Sequence, residues 1–194
     1  MLPIELGLDT FGDATVDADG QPRSQAQAIR DVVTQGELAD QVGLAFIGVG
    51  EHHRPDFSVS APEVVLAAIA ARTTRIHLGS AVTVLSTDDP VRVFERFSTL
   101  NAISNGRAEI IVGRGSFTES YPLFGYDLAN YEELFEEHLA FEPCEVHAQA
   151  KVLCDAERKM RIRGAANVEG VGRVDVELSD ESVGGQGQEG GHPR

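Results

Sequence analysis

The sequence predicts an α/β fold built from four consecutive strand–helix units on a parallel sheet. Three observations carry this reading. Short apolar segments alternate with segments of helical spacing between residues 4 and 139. Capping and turn residues fall at the junctions between them. No hairpin signal joins two strands, so each strand must return by a crossover, and crossovers of this kind build a parallel sheet.

The first unit starts with Ile4–Asp9 as a strand, followed by a Gly- and Asp-rich loop over residues 12–21. A helix is predicted from Ser24 to Val42, because Ile29, Val32, Val33, Gly36, Ala39 and Val42 share one face. Gly43 stands where a left-handed C-cap is needed. The second strand, Leu44–Gly50, is apolar almost throughout, as expected when both faces are covered. It ends in Glu51-His52-His53. Ser60 and Glu63 have capping-box spacing, with Pro62 in the first turn of the helix that follows.

The third strand is predicted over Ile76–Leu85. Asp89 as N-cap and Pro90 at the first helical position open the third helix, with Val91, Phe94, Phe97 and Leu100 or Asn101 as its buried stripe. Asn105-Gly106 ends it. Ala108–Val112 is the fourth strand and leads into Gly113-Arg114-Gly115-Ser116. A loop over residues 117–129 reaches Asn130, which has Glu133 three residues on, the spacing of another capped helix start.

Each unit takes roughly 35 residues, and a closed barrel of eight needs about 250 or more. The chain has 194 residues, and its composition changes near residue 140. Every Phe and Tyr lies at or before Phe141, while Lys151, Lys159, Cys144 and Cys154 all come later. The prediction is therefore the first four βα units of a (β/α)8 TIM-type barrel, incomplete, over residues 1–140. An irregular C-terminal tail over 141–194 is expected to be poorly ordered, and loss of the reading frame near residue 139 would explain the joint change. A half barrel is expected to leave its first and fourth strands as open edges.

Net charge is −15, which disfavours binding to nucleic acid or an anionic membrane surface. No secretory signal or membrane-length apolar run is recognised, and two cysteines form no disulfide framework or zinc pattern, so a cytoplasmic location is expected.

Reactive groups in such a fold belong at the C-terminal ends of the strands. Of the adjacent His52 and His53, one can face the mouth while the other packs behind it. A histidine there can move a proton near neutral pH, and a structural hydrogen-bonded pair is the competing reading. Between two glycines, Arg114 could meet a phosphate or an electron-rich ring edge, or merely occupy a turn. His77 reads as a packed or hydrogen-bonded histidine, the Glu132-Glu133-Glu136-Glu137 run as a solvated helix face, and Asp88 and Asp89 as capping groups.

FIGVGEHHRPDF, the stretch from APEVV to GRGS, and YPLFGYDL closely resemble the bacterial luciferase-like flavin-dependent monooxygenases over about residues 2–139. The resemblance implies a TIM-type barrel that uses reduced flavin and O2 to oxygenate a small organic substrate. FMN is the implied cofactor and coenzyme F420 the alternative. It also implies His52 as an active-site base, a cis peptide at Ala81–Val82 behind the flavin, and Ser80 and Arg114 near the cofactor. A homodimer and a flavin reductase as partner are implied too. Two other readings stay open: a truncated, non-enzymatic remnant acting through dimerisation, and a metal-dependent hydrolase using Glu51, His52, His53 and His77.

Overall fold

Helices and strands alternate as predicted in the computed structural model, which describes residues 4–140, 161–164 and 175–176. The strands are β1 (Gly7–Thr10), β2 (Phe46–Val49), β3 (His77–Ser80), β4 (Thr83–Val84), β5 (Ala108–Gly113), β6 (Arg161–Gly164) and β7 (Asp175–Val176). The helices are α1 (Gln25–Val42), α2 (Pro62–Ala70), α3 (Pro90–Ile103), the short α4 (Ser120–Phe124) and α5 (Tyr131–Leu139). The strands form one sheet in the order β1-β2-β3-β5-β6-β7, with β4 also pairing β5. All pairs are parallel except β6 with β7.

Helices α1, α2 and α3 bury Val32, Val33, Leu66, Ile69, Phe97 and Leu100 against Ile47, Val49, Leu78, Ile110 and Val112 of the sheet. A fully buried side chain of this size stabilises by about 1.5–3 kcal/mol, so this layer supplies the main driving force. The opposite face carries Phe46, whose ring lies against the backbone of Gly7, Gly48 and Gly79. A Cβ at Gly7 would meet Phe46 Cδ1 at 3.3 Å, and one at Gly79 would meet Phe46 Cε2 at 2.6 Å.

The helix starts follow the sequence in two of four cases. Ser24 Oγ accepts the Gln27 N–H at 3.2 Å, and Asp89 Oδ1 accepts those of Val91 and Arg92 at 2.8 and 3.2 Å. Gly43 adopts φ 85°, closing α1. The predicted capping box at Ser60 does not form. Ala61 is the N-cap, with no side-chain bond, because the Glu63 carboxylate instead meets Arg96 Nε of α3 at 3.1 Å. Asn130 likewise makes no capping bond; Asp127 caps the preceding 3-10 turn, accepting the Ala129 N–H at 2.9 Å. In α3 the buried residues are Val93, Phe97, Ser98 and Leu100, so Phe97 and Leu100 are buried as predicted while Val91 and Phe94 are only partly buried.

Three further corrections concern the sheet and its connections. The predicted third strand breaks into β3 and β4 at a cis Ala81–Val82 peptide. The loop predicted over 117–129 contains α4. The fourth predicted strand, β5, is not an open edge, because β6 pairs with it from Glu109↔Arg161 to Val112↔Gly164. Thus two strands stand in the stretch expected to be irregular. β7 falls within the one part of it, residues 168–178, that reads as strand-like. Cys144, Cys154, Lys151 and Lys159 lie outside the described residues.

Two charged side chains close the base of the sheet. Asp40, near the end of α1, accepts the backbone N–H groups of Thr74, Arg75 and Ile76 at 3.3, 3.0 and 2.7 Å. These bonds hold its carboxyl below the usual range, against the opposing effect of burial. Arg107 donates to the carbonyls of Ser104, Ile76, Ala70 and Thr73 and to Thr73 Oγ1, all at 2.8–3.0 Å. That uses every N–H of a guanidinium.

Replacing Arg107 with Ala therefore leaves four carbonyls short of a donor. We expect R107A to lose about 3 kcal/mol in urea unfolding, with R107K intermediate because an ammonium has fewer donors in a different geometry. Gly36 on α1 packs on α2, and a Cβ there would meet Ile69 Cγ2 at 2.6 Å and Cδ1 at 2.8 Å. Alanine is the better helix former by about 1 kcal/mol, yet crowding of a packed site costs about 1–3 kcal/mol. G36A should therefore be net destabilising in the same assay.

Candidate active site

A single mouth forms where β2, the β3–β4 segment and β5 end. The cavity there holds about 260 Å³ and opens to solvent, slightly smaller than most small-molecule sites. His52, His53 and Glu51 enter from the end of β2, Ala81, Val82 and Val84 from the β3–β4 segment, and Gly113–Phe117 from the end of β5. The structure thus brings His52, Ala81, Val82 and Arg114 of the sequence reading to one place. The cis peptide implied at Ala81–Val82 is present, and both residues line the cavity.

Ser80 is the exception among the expected cofactor residues. It is fully buried below the floor. Its hydroxyl donates to the Ile111 carbonyl at 3.0 Å and accepts from the Ile111 N–H at 3.2 Å and from Thr83 Oγ1 at 3.0 Å. The β3–β5 ladder lapses between Gly79↔Glu109 and Thr83↔Val112, and this hydroxyl bridges the gap. Its hydrogen-bonding capacity is spent on the sheet.

The two histidines have different surroundings. His52 stacks on Phe57, with ring centroids 4.1 Å apart, and meets the edges of Phe11 and Phe117 at 5.0 and 5.7 Å. Its Nδ1 is buried with no partner. Burial in this aromatic setting lowers its pKa from 6.5, against the pull of the Glu119, Asp13, Glu51 and Asp56 carboxylates. His53 Nε2 donates to Glu51 Oε1 at 2.8 Å, and that bond raises its pKa above 6.5. The other oxygen of Glu51, Oε2, accepts the Val84 N–H at 3.0 Å.

Arg114 lines the cavity but leans on α5. Its guanidinium carbon lies 4.4 Å from the Phe135 ring centroid, and Nη2 reaches Glu132 Oε2 at 3.3 Å. Its Nε is buried without a partner. Helix α5 is tied to the floor by His138 Nδ1, 2.8 Å from the Leu85 carbonyl. The sequence reading left out Phe11, Phe57 and Phe117, which wall in His52. A signal was present, since each is an aromatic residue in a loop at the end of a strand.

His77, read as packed or hydrogen-bonded, lies in β3 with Nδ1 3.0 Å from the buried Glu109 carboxylate of β5. Among the described residues, no group of three or more His, Cys, Asp or Glu is placed to hold a metal ion. Glu132, Glu133, Glu136 and Glu137 form an exposed helix face as expected, with Glu132 also serving Arg114. Asp89 caps α3, whereas Asp88 pairs with Arg96. Also among the described residues, no helix is long and apolar enough to cross a membrane.

Fold and site together define a TIM-type βα protein whose pocket opens at the C-terminal ends of its parallel strands. The luciferase-like monooxygenase family model matches residues 10–141, and the chain belongs to that family. It is 30% identical over 125 residues to the alkanal monooxygenase alpha chain of the Kryptophanaron alfredi symbiont, covering 64% of this chain and 35% of that one. The monooxygenase RslO1 of Streptomyces bottropensis superposes with a TM-score of 0.62 at 24% identity, over 70% of this chain and 41% of that one. The oxygenating constituent of 3,6-diketocamphane monooxygenase from Pseudomonas putida, solved with FMN, also gives 0.62, at 19% identity, over 93% and 46%. At these identities the structural likeness carries the fold alone. The chain spans about a third of the length of the curated relatives it matches.

The two histidines should contribute oppositely to stability. His52 has a lowered folded pKa, so its contribution is lost as pH falls through 6.5. His53 has a raised one, so its contribution is complete below 6.5 and is lost as pH rises through its folded pKa. An NMR titration of the imidazole resonances should place the His52 midpoint below 6.5 and the His53 midpoint above it. Phe57→Ala should bring the His52 midpoint back up by admitting water.

Proposed function

We propose that this chain carries the flavin-facing part of an FMN-dependent, luciferase-like monooxygenase acting on a small organic substrate. The observation that carries the reading is the convergence of His52, the Ala81–Val82 peptide and Arg114 on one mouth. The site also fits a flavin chemically. Two buried polar atoms at the mouth, His52 Nδ1 and Arg114 Nε, have no partner. The backbone at Gly113 comes so close to the floor that a Cβ there would meet Val82 Cγ2 at 2.9 Å.

Ala81 and Val82 would seat the ring system and Arg114 would face its electron-rich or anionic groups. A bound reduced flavin would supply the two electrons by which O2 gives one oxygen atom to the substrate and the other to water. The chain's own residues orient, exclude water and handle protons. His52 is neutral near pH 7, so it can accept a proton from substrate or solvent at the mouth. The rings of Phe11, Phe57 and Phe117 partly shield that imidazole from water. A flavin reductase would deliver the reduced cofactor. A homodimer formed through the outer helices would cover exposed apolar side chains such as Leu38, Val42, Val64 and Ile103 of α1, α2 and α3.

Titration of the purified chain with FMN tests the reading. Binding should quench flavin fluorescence and perturb its absorbance, and Arg114→Ala should weaken it about tenfold or more, a loss of about 1.4 kcal/mol. Absence of any flavin response would reject the reading. A response to coenzyme F420 with none to FMN would replace the cofactor. A metal-dependent hydrolase would instead show stoichiometric metal and no flavin response.

A further inference from the structure

The sequence places Glu51 directly before the two histidines, and the flavin reading gives it no task. Its position is unusual in three respects. The side chain is only 9% exposed although it lines the cavity. Both of its oxygens are engaged, Oε1 with His53 Nε2 at 2.8 Å and Oε2 with the Val84 N–H at 3.0 Å. The two groups it joins come from different walls of the mouth.

The sheet explains why a side chain is needed there. The β2–β3 ladder runs as far as Val49↔Ser80, and the Ala81 N–H still reaches the Val49 carbonyl at 2.9 Å. Beyond that point the chain departs at Ala81–Val82 and resumes as β4, which pairs with β5 through Thr83↔Val112 and Val84↔Gly113. Among the described residues no strand on the β2 side supplies an acceptor for the Val84 N–H, and a buried donor without one costs about 1–3 kcal/mol. The Glu51 carboxylate takes that place.

We propose that Glu51 is a positioning residue: one carboxylate oxygen holds the Nε2–H of His53 and the other holds the Val84 backbone N–H, so that a single side chain fixes both the second histidine and the wall formed by β4. The inference deepens the flavin reading, on which it rests for the identity of the ligand. It separates the roles of the neighbours. His52 is the group free to exchange a proton at the mouth, and His53 is held as part of the frame. Other groups near His53 are the carboxylates of Glu119 and Asp88, and the Phe124 ring of α4, edge-on at 4.9 Å. Of these, Glu51 alone is in hydrogen-bond contact with the imidazole.

Two variants of the full chain separate the bonds. Glu51→Gln removes the charge but keeps an oxygen acceptor for Val84. Glu51→Ala removes both. We expect the His53 midpoint, read by NMR, to fall in both variants by about one pH unit, a tenfold loss in proton affinity. The Val84 amide proton should move upfield in E51A and less so in E51Q. FMN affinity should fall about tenfold in E51A, about 1.4 kcal/mol, and less in E51Q. An unchanged His53 midpoint in folded E51Q, or FMN binding by E51A as tight as by the parent chain, would overturn the proposal. If E51A does not fold, E51Q decides it by the His53 midpoint. If the parent chain itself ignores FMN, the flavin reading fails, and the assignment of Glu51 is then judged on the two NMR signals alone.

Discussion

A pocket assembled from the ends of parallel strands requires those strands to begin in register. In this chain the requirement is met largely by two ionised side chains at the opposite end of the sheet. The Arg107 guanidinium gathers the end of α2, the approach to β3 and the α3–β5 turn. The Asp40 carboxylate gathers the same approach from the side of α1. Arg107 uses all five of its N–H groups and Asp40 accepts three backbone N–H bonds, and such bonding is what lets a partly buried charge stabilise its surroundings. With the bases of β3 and β5 fixed, rigid strands carry that alignment to the mouth, and Ala81, Val82 and Gly113 arrive beside one another.

The element order was legible because it depends on periodicity and on local capping. Ser24, Gly43, Asp89 and Pro90 act through neighbours a few residues away, and all perform as the sequence suggests. The misreadings have a common cause. Ser60 and Glu63 have the spacing of a capping box, but Glu63 is drawn to Arg96, on a different helix. The stripe of α3 is set by how that helix rolls onto the sheet, which no local pattern contains. The break in the third strand follows from how its end meets β5, and the pairing of β6 with β5 joins segments about 50 residues apart.

The site shows the same division. Strand-end position and family likeness single out His52, Ala81–Val82 and Arg114, and the structure gathers them at one cavity. Likeness could not show which groups occupy each residue's hydrogen bonds. Ser80 stands next to the cavity in sequence, yet its hydroxyl is used up in repairing the β3–β5 ladder. His52 and His53 are adjacent and identical in type, and burial against Phe57 in one case and contact with Glu51 in the other sends their acidities in opposite directions. That divergence is a tertiary effect and has no signature in the spacing of residues.

The aromatic ring of Phe46 spans three strands because Gly7, Gly48 and Gly79 offer no side chains in its way. It works as a shim on the face of the sheet opposite the helices. Gly48 also adjoins Ala81, since a Cβ on it would come within 2.8 Å of the Ala81 Cβ. Thickening any of those three glycines would tilt the shim and, through Gly48, lift the cavity floor. The depth of the mouth is therefore set partly by residues that never touch its contents.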